Sequence, residues 1–156
     1  MANASAGMKA KADIFHALHQ APGAFIIPNP WDWGTARILA HLGFKALATT
    51  SMGYAFSIGQ RDNSLTREQT LANAADIVAA TDLPVNADLE NGFGDRPEDA
   101  AETIRLSAET GIAGGSIEDA SGRADAPIYD IGLAAERIAA AVAAARSLPY
   151  RFTLTA

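Results

Sequence analysis

Short apolar runs alternate with longer helical stretches along most of this chain, and that alternation leaves few folds open. Residues 25–28 form a first run, too short for a helix and ended by Pro28. Residues 45–50, 83–88, 114–118 and 151–155 repeat the pattern. Helical stretches lie between them. Residues 32–42 stop at Gly43, which can take the left-handed conformation that ends a helix. Thr66 and Gln69 form a capping box for a helix with Leu71, Ala75 and Val78 on one face. Pro97, followed by Glu98 and Asp99, suits the first turn of a helix running to Gly111. Asp130 can cap another, with Ile131, Ala135, Ile138, Val142 and Ala145 on a shared face. Residues 8–20 read as a lead-in helix with Ile14, Ala17 and Leu18 on one side, and residues 51–65 as a long loop. Strand, loop and helix in repetition mean parallel strands with crossover helices. A (β/α)₈ barrel and an open doubly wound sheet both satisfy this. A complete barrel needs about 250 residues, so the length of 156 residues favours the open sheet. The turn after the first run, Pro28-Asn29-Pro30-Trp31-Asp32-Trp33-Gly34, carries neither nucleotide-binding fingerprint, so the loops favour the barrel.

Composition excludes several functions. The net charge of -6 argues against a nucleic-acid partner, although a bound cation could still bring an anionic substrate to an acidic site. The absence of cysteine removes disulfides, thiolate metal sites and cysteine nucleophiles. No signal peptide is evident, nor any run near the roughly 20 apolar residues of a membrane span. The expected compartment is the cytoplasm.

In both architectures ligands bind at the carboxyl ends of the strands, and acids gather there. The third run ends in Asp88-Leu89-Glu90, and residues two apart on a strand share a side, so these carboxylates are expected to converge. The fourth ends in Glu118-Asp119, and the loop after the second holds Arg61-Asp62-Asn63. Converging carboxylates need a proton, a basic partner or a cation. Oxygen donors without His or Cys select a hard ion, Mg²⁺ or Mn²⁺. The plainer alternative makes such acids solvated loop residues or helix caps, and Asp95 and Asp119 are read that way. Ser51-Met52-Gly53 could offer main-chain N–H groups to an anionic oxygen, or form a simple turn. Trp31 and Trp33 either line a pocket or pack beneath the rim, and Gly92 permits close approach of a ligand to the backbone. His16, His19 and His41 fall on helices as surface or satisfied residues.

Taken together, Pro28-Asn29-Pro30-Trp31-Asp32, Thr50-Ser51-Met52-Gly53, Arg61-Asp62, Asp88-Leu89-Glu90-Asn91-Gly92-Phe93-Gly94 and Ser116-Ile117-Glu118-Asp119 resemble, in order and spacing, the isocitrate lyase/phosphoenolpyruvate mutase superfamily. The resemblance implies a (β/α)₈ barrel, here cut to about five parallel strands forming a single partial domain over residues 1–156. It also implies Mg²⁺-dependent cleavage or rearrangement of C–C or P–C bonds in small 2-oxo or 2-hydroxy acids, through an enolate. By the same resemblance Asp62, Asp88, Glu90 and Glu118 form the metal shell, directly or through water. Ser51, Met52 and Gly53 bind the substrate carboxylate, with Trp31, Asp32 and Gly92 as further substrate contacts. The partner is a small carboxylate or phosphonate, and full-length relatives are homo-oligomers, usually with a swapped eighth helix.

Three departures stand out. The lyases carry a cysteine general acid after the fourth strand, where this chain reads Ala120-Ser121-Gly122-Arg123-Ala124-Asp125-Ala126-Pro127. Glu90 replaces the more frequent Asp. The chain stops before the family's substrate-binding Arg at the end of the fifth strand. Five strands cannot close a barrel, so the alternative expectation is a catalytically inactive half-barrel fragment or assembly module.

Overall fold

The computed structural model describes residues 2–156, with side-chain surroundings from residue 7 onward. Helices α1 (Ala2–Gln20) and α2 (Trp33–His41) precede strand β1 (Leu47–Ala48). Helices α3 (Ser51–Ser57) and α4 (Arg67–Ala80) lead to β2 (Val85–Asp88). Helix α5 (Pro97–Glu109) joins it to β3 (Gly114–Ser116), and α6 (Ile131–Arg146) leads to β4 (Thr153–Thr155). All neighbouring strands are parallel, in the order β1-β2-β3-β4. A doubly wound sheet reverses its strand order near the middle, whereas sequential order is that of a barrel wall. The chain therefore builds the opening part of a (β/α)₈ barrel. No helix among the described residues is long and apolar enough to cross a membrane.

The period-two pattern of the strands separates two faces. Leu47, Val85 and Ala87 are fully buried beneath the helices. Asn86, Asp88, Ser116 and Thr153 alternate with them and are only partly covered. In register, Asp88 lies beside Ser116, which lies beside Thr155, so a polar row reaches the carboxyl end of the sheet. Gly115 sits where a Cβ would stand 2.7 Å from Leu89 Cδ1, so β3 runs tightly beneath its neighbours.

Several expected elements take a different form. Residues 25–28 form no strand: Pro28 accepts one bond from the Ala48 N–H (3.1 Å), and Pro28 and Pro30 supply no N–H to extend a ladder. The sheet thus has four strands. The expected loop 51–65 contains α3, started by Thr50, whose hydroxyl accepts from the Gly53 N–H (3.2 Å). Helix α1 begins before residue 8 and buries Ala12 and Phe15, while Ile14 is exposed. In α6 the expected apolar face is divided: Ala145 is buried and Ile138 packs against the core, whereas its N-terminal part is open. Ile131 is 86% exposed, and Ala134, Ala135 and Ile138 line an open cleft of about 1010 Å³ beside β4. The buried side of that helix holds Arg137, Ala141, Ala144 and Ala145.

Candidate metal centre

The acidic cluster begins with Asp88, at the last position of β2. Its carboxylate accepts from the Ser51 N–H (2.8 Å) and from the Glu90 N–H (3.1 Å), and the Asp88 N–H donates to the Thr49 hydroxyl (2.9 Å). Asp88 thereby ties the start of α3 to the turn that follows β2. Glu90 does not continue the strand, so the expected pleat is not what brings it to Asp88. Its backbone is left-handed (φ 48°), and this turn swings the side chain into a buried position. The Glu90 carbonyl accepts from the Glu118 N–H (2.8 Å), joining the ends of β2 and β3.

Electrostatics shows which acids feel one another's charge. Glu90 is pushed up to about 7, first by burial and then by the charges of Asp88, Asp62 and Glu118. Glu118 shifts upward too, by partial loss of solvent first and then by Asp88, Asp62 and Asp119. Asp62 lies in an exposed turn, its carboxylate accepting from the Asn63 N–H (3.0 Å). Asp62, Asp88, Glu90 and Glu118 therefore share one electrostatic neighbourhood. Glu90 Oε1 is buried without a hydrogen-bond partner, a costly state for a carboxylate oxygen. An oxygen donor set with an orphaned buried oxygen suits a hard cation in kind. Among the described residues, however, no three such side chains are drawn into a set that could hold a metal ion as they stand. Closing on an ion would require side-chain rotation or bridging water.

Several of the candidate substrate contacts are engaged within the protein. The Ser51 N–H is taken by Asp88 and the Gly53 N–H by Thr50. Met52 is exposed. Gly53 makes room for Trp31, whose ring atoms would lie 2.5 Å from an added Cβ. Trp31 and Trp33 are 46% and 41% exposed rather than packed beneath a rim. Asp32 caps α2, accepting from the Thr35 N–H (2.7 Å) and hydroxyl (2.9 Å), and this pairing holds its carboxyl below the usual range. Gly92 (φ 78°) is pressed against α5, where an added Cβ would meet Ala100 Cα at 3.0 Å, so its close approach is to a helix.

Sequence reasoning missed a second layer behind the acids. The Tyr129 hydroxyl donates to Asp95 Oδ1 (2.7 Å) and accepts from Asn91 Nδ2 (3.0 Å). Asp95 also pairs with Arg123 (2.5 Å), so it is not merely a solvated loop acid. Residues 120–128 fold back through an isolated antiparallel bridge between Ala120 and Ile128. A buried arginine, Arg137, reaches the same turn. An arginine on an alanine-rich helix offers no sequence signal of burial.

Comparisons with known proteins bear on the family and the fold. The sequence profile described as phosphoenolpyruvate phosphomutase matches residues 15–156. A crystallised Burkholderia cenocepacia J2315 protein, provisionally described as a lyase/mutase, is 66% identical with a TM-score of 0.94; the match covers 95% of this chain and 53% of that one. The 2-methylisocitrate lyase of Bacillus subtilis (strain 168) is 31% identical over 75% of this chain and 39% of its own. An oxaloacetate acetylhydrolase solved with its product oxalate is 28% identical with a TM-score of 0.83, covering 94% of this chain and 52% of that one. The chain spans about half the length of the relatives it matches.

Proposed function

The chain belongs to the phosphoenolpyruvate mutase/isocitrate lyase superfamily of lyases and mutases, and on that premise we propose that it carries the metal-binding half of a Mg²⁺-dependent active site. That site cleaves or rearranges a C–C or P–C bond in a small 2-oxo or 2-hydroxy acid through an enolate. The observation carrying this reading is the shared electrostatic neighbourhood of Asp62, Asp88, Glu90 and Glu118, together with the buried, unpartnered Glu90 Oε1. When bound, Mg²⁺ (or Mn²⁺) would supply positive charge against the negative charge developing on a substrate oxygen.

The residues present do the positioning. Asp88 holds the start of α3 against the sheet through the Ser51 N–H, fixing the segment proposed to meet a substrate carboxylate. Glu90 must be ionised to serve as a ligand, and a cation would favour that form. Glu118 follows β3 beside Ser116, on the side where the open cleft begins. The cysteine general acid of the lyases has no counterpart here, which points away from isocitrate-type cleavage by that route.

Turnover of a panel of 2-oxo acids, 2-hydroxy acids and phosphonates, with Mg²⁺ and with EDTA, tests the activity. The proposal expects metal-dependent product from at least one. The alternative reading is a non-catalytic half-barrel that serves as an assembly module. It expects no turnover on any member of the panel and concentration-dependent association on sizing.

A further inference from the structure

Arg137 is 1% exposed and heads the fully buried side chains in size. Among the described residues the ion pairs are Arg96–Asp99, Arg105–Glu102 and Arg123–Asp95, so Arg137 is buried without a carboxylate partner. A cation in that position needs compensation from dipoles or a π face. Its guanidinium donates to the main-chain carbonyls of Asn91, Gly94 (2.6 Å) and Arg96 (3.5 Å), and lies 4.3 Å from the Tyr129 ring centroid. The Tyr129 hydroxyl grips the same turn through Asn91 and Asp95. Asn91 Oδ1 in turn accepts from the Phe93 N–H (3.0 Å), and the buried Thr103 hydroxyl donates to the Gly92 carbonyl (2.7 Å).

The turn held this way is one that does not favour its own shape. Glu90 and Phe93 both adopt left-handed backbone (φ 48° and 61°) without being glycine. Such a conformation persists where surrounding contacts over-determine it. Arg137 touches carbonyls of the turn but not the Glu90 carboxylate, so its influence on the acidic cluster passes through the backbone.

We infer that Arg137 on α6 and Tyr129, just before that helix, form a clamp that fixes the turn at 90–96 and thereby aims Glu90 into the acidic cluster, which makes both positioning residues for the metal site. The inference rests on the proposed metal reading for its functional half; the clamp itself stands on hydrogen bonds.

Tyr129→Phe keeps the ring under Arg137 and removes the hydroxyl. Arg137→Lys keeps the charge and loses the fork of donors. Ala144→Gly, on the buried side of the same helix, serves as a control that weakens α6 without touching the turn. Two readouts are taken on the whole chain: amide hydrogen exchange in EDTA, and Mn²⁺ affinity by electron paramagnetic resonance. The clamp predicts at least tenfold faster exchange at the Gly92 and Phe93 amides in Tyr129→Phe and Arg137→Lys, with β2 amides unchanged. It predicts at least tenfold weaker Mn²⁺ binding in both, and neither effect in Ala144→Gly. Unchanged exchange at Gly92 and Phe93 overturns the clamp. Faster exchange with undiminished Mn²⁺ affinity overturns the positioning role, as does an equal loss in Ala144→Gly. A wild-type chain that binds no Mn²⁺ refutes the metal reading and the positioning role with it, and the exchange arm still decides whether the clamp exists.

Discussion

Replacing Glu90 by Gln in the metal-free protein should stabilise it, and the gain should depend on pH. The folded-state carboxyl titrates near 7 against an ordinary value of 4.5. Between those values the folded state holds a proton that the unfolded state has released, so raising the pH through this window favours unfolding. The loss is complete above about pH 7. At about 1.4 kcal/mol per unit the full shift has a ceiling of about 3 kcal/mol, and water relaxation around a site near the surface reduces this to about 1–3 kcal/mol. Glu90→Gln keeps the side-chain shape and removes the charge. Urea unfolding in EDTA should therefore show the variant more stable than wild type by about 1–3 kcal/mol at pH 8. At pH 5, where the wild-type carboxyl is mostly protonated in the fold, the difference should shrink to a few tenths. Saturating Mg²⁺ should reverse the order at pH 8, because only the carboxylate gains from the cation. A variant equal to or less stable than wild type at pH 8 in EDTA, or an offset that ignores pH, would refute the reasoning.

Three further outcomes follow from the packing. Thr103→Val should cost about 1–3 kcal/mol in denaturant unfolding, since it strips a side-chain donor from the buried Gly92 carbonyl while preserving volume. Gly115→Ala should cost about 1–3 kcal/mol, because the new methyl meets Leu89 Cδ1 at 2.7 Å and Phe152 Cζ at 3.2 Å; an unchanged unfolding midpoint would show that β3 can shift. Tyr150→Phe should lose about 1 kcal/mol by removing the buried bond from its hydroxyl to the Ile112 carbonyl (3.0 Å), with no effect on Mg²⁺ affinity.

The parts of the fold legible in the sequence were those set by local chemistry. Thr66 and Gln69 form the capping box read from their spacing, Asp130 caps α6, and Asp99 accepts from the Arg96 N–H where acids were expected. Of the four acids proposed for the metal, Asp88, Glu90 and Glu118 were visible at strand ends and Asp62 in the loop after the second run, though the route by which they approach was not. Glu90 reaches the cluster by a left-handed turn that period-two reasoning cannot anticipate, because the turn is imposed by contacts from α5 and α6. The same limit explains α6. A charged residue occupies its buried side because Arg137 finds carbonyls distant in sequence. Residues 25–28 failed as a strand for a local reason, Pro28 at their end with Pro30 just beyond, which apolar character had outweighed.

The central claim is that Asp62, Asp88, Glu90 and Glu118 hold a divalent cation. Calorimetric titration of Mg²⁺ into this chain at pH 8 in the presence of oxalate tests it most directly, with Asp88→Asn as the comparison. The account predicts saturable binding of a single Mg²⁺ that weakens at least tenfold in Asp88→Asn. An absence of saturable binding to the wild-type chain, or equal affinity in the variant, would contradict it.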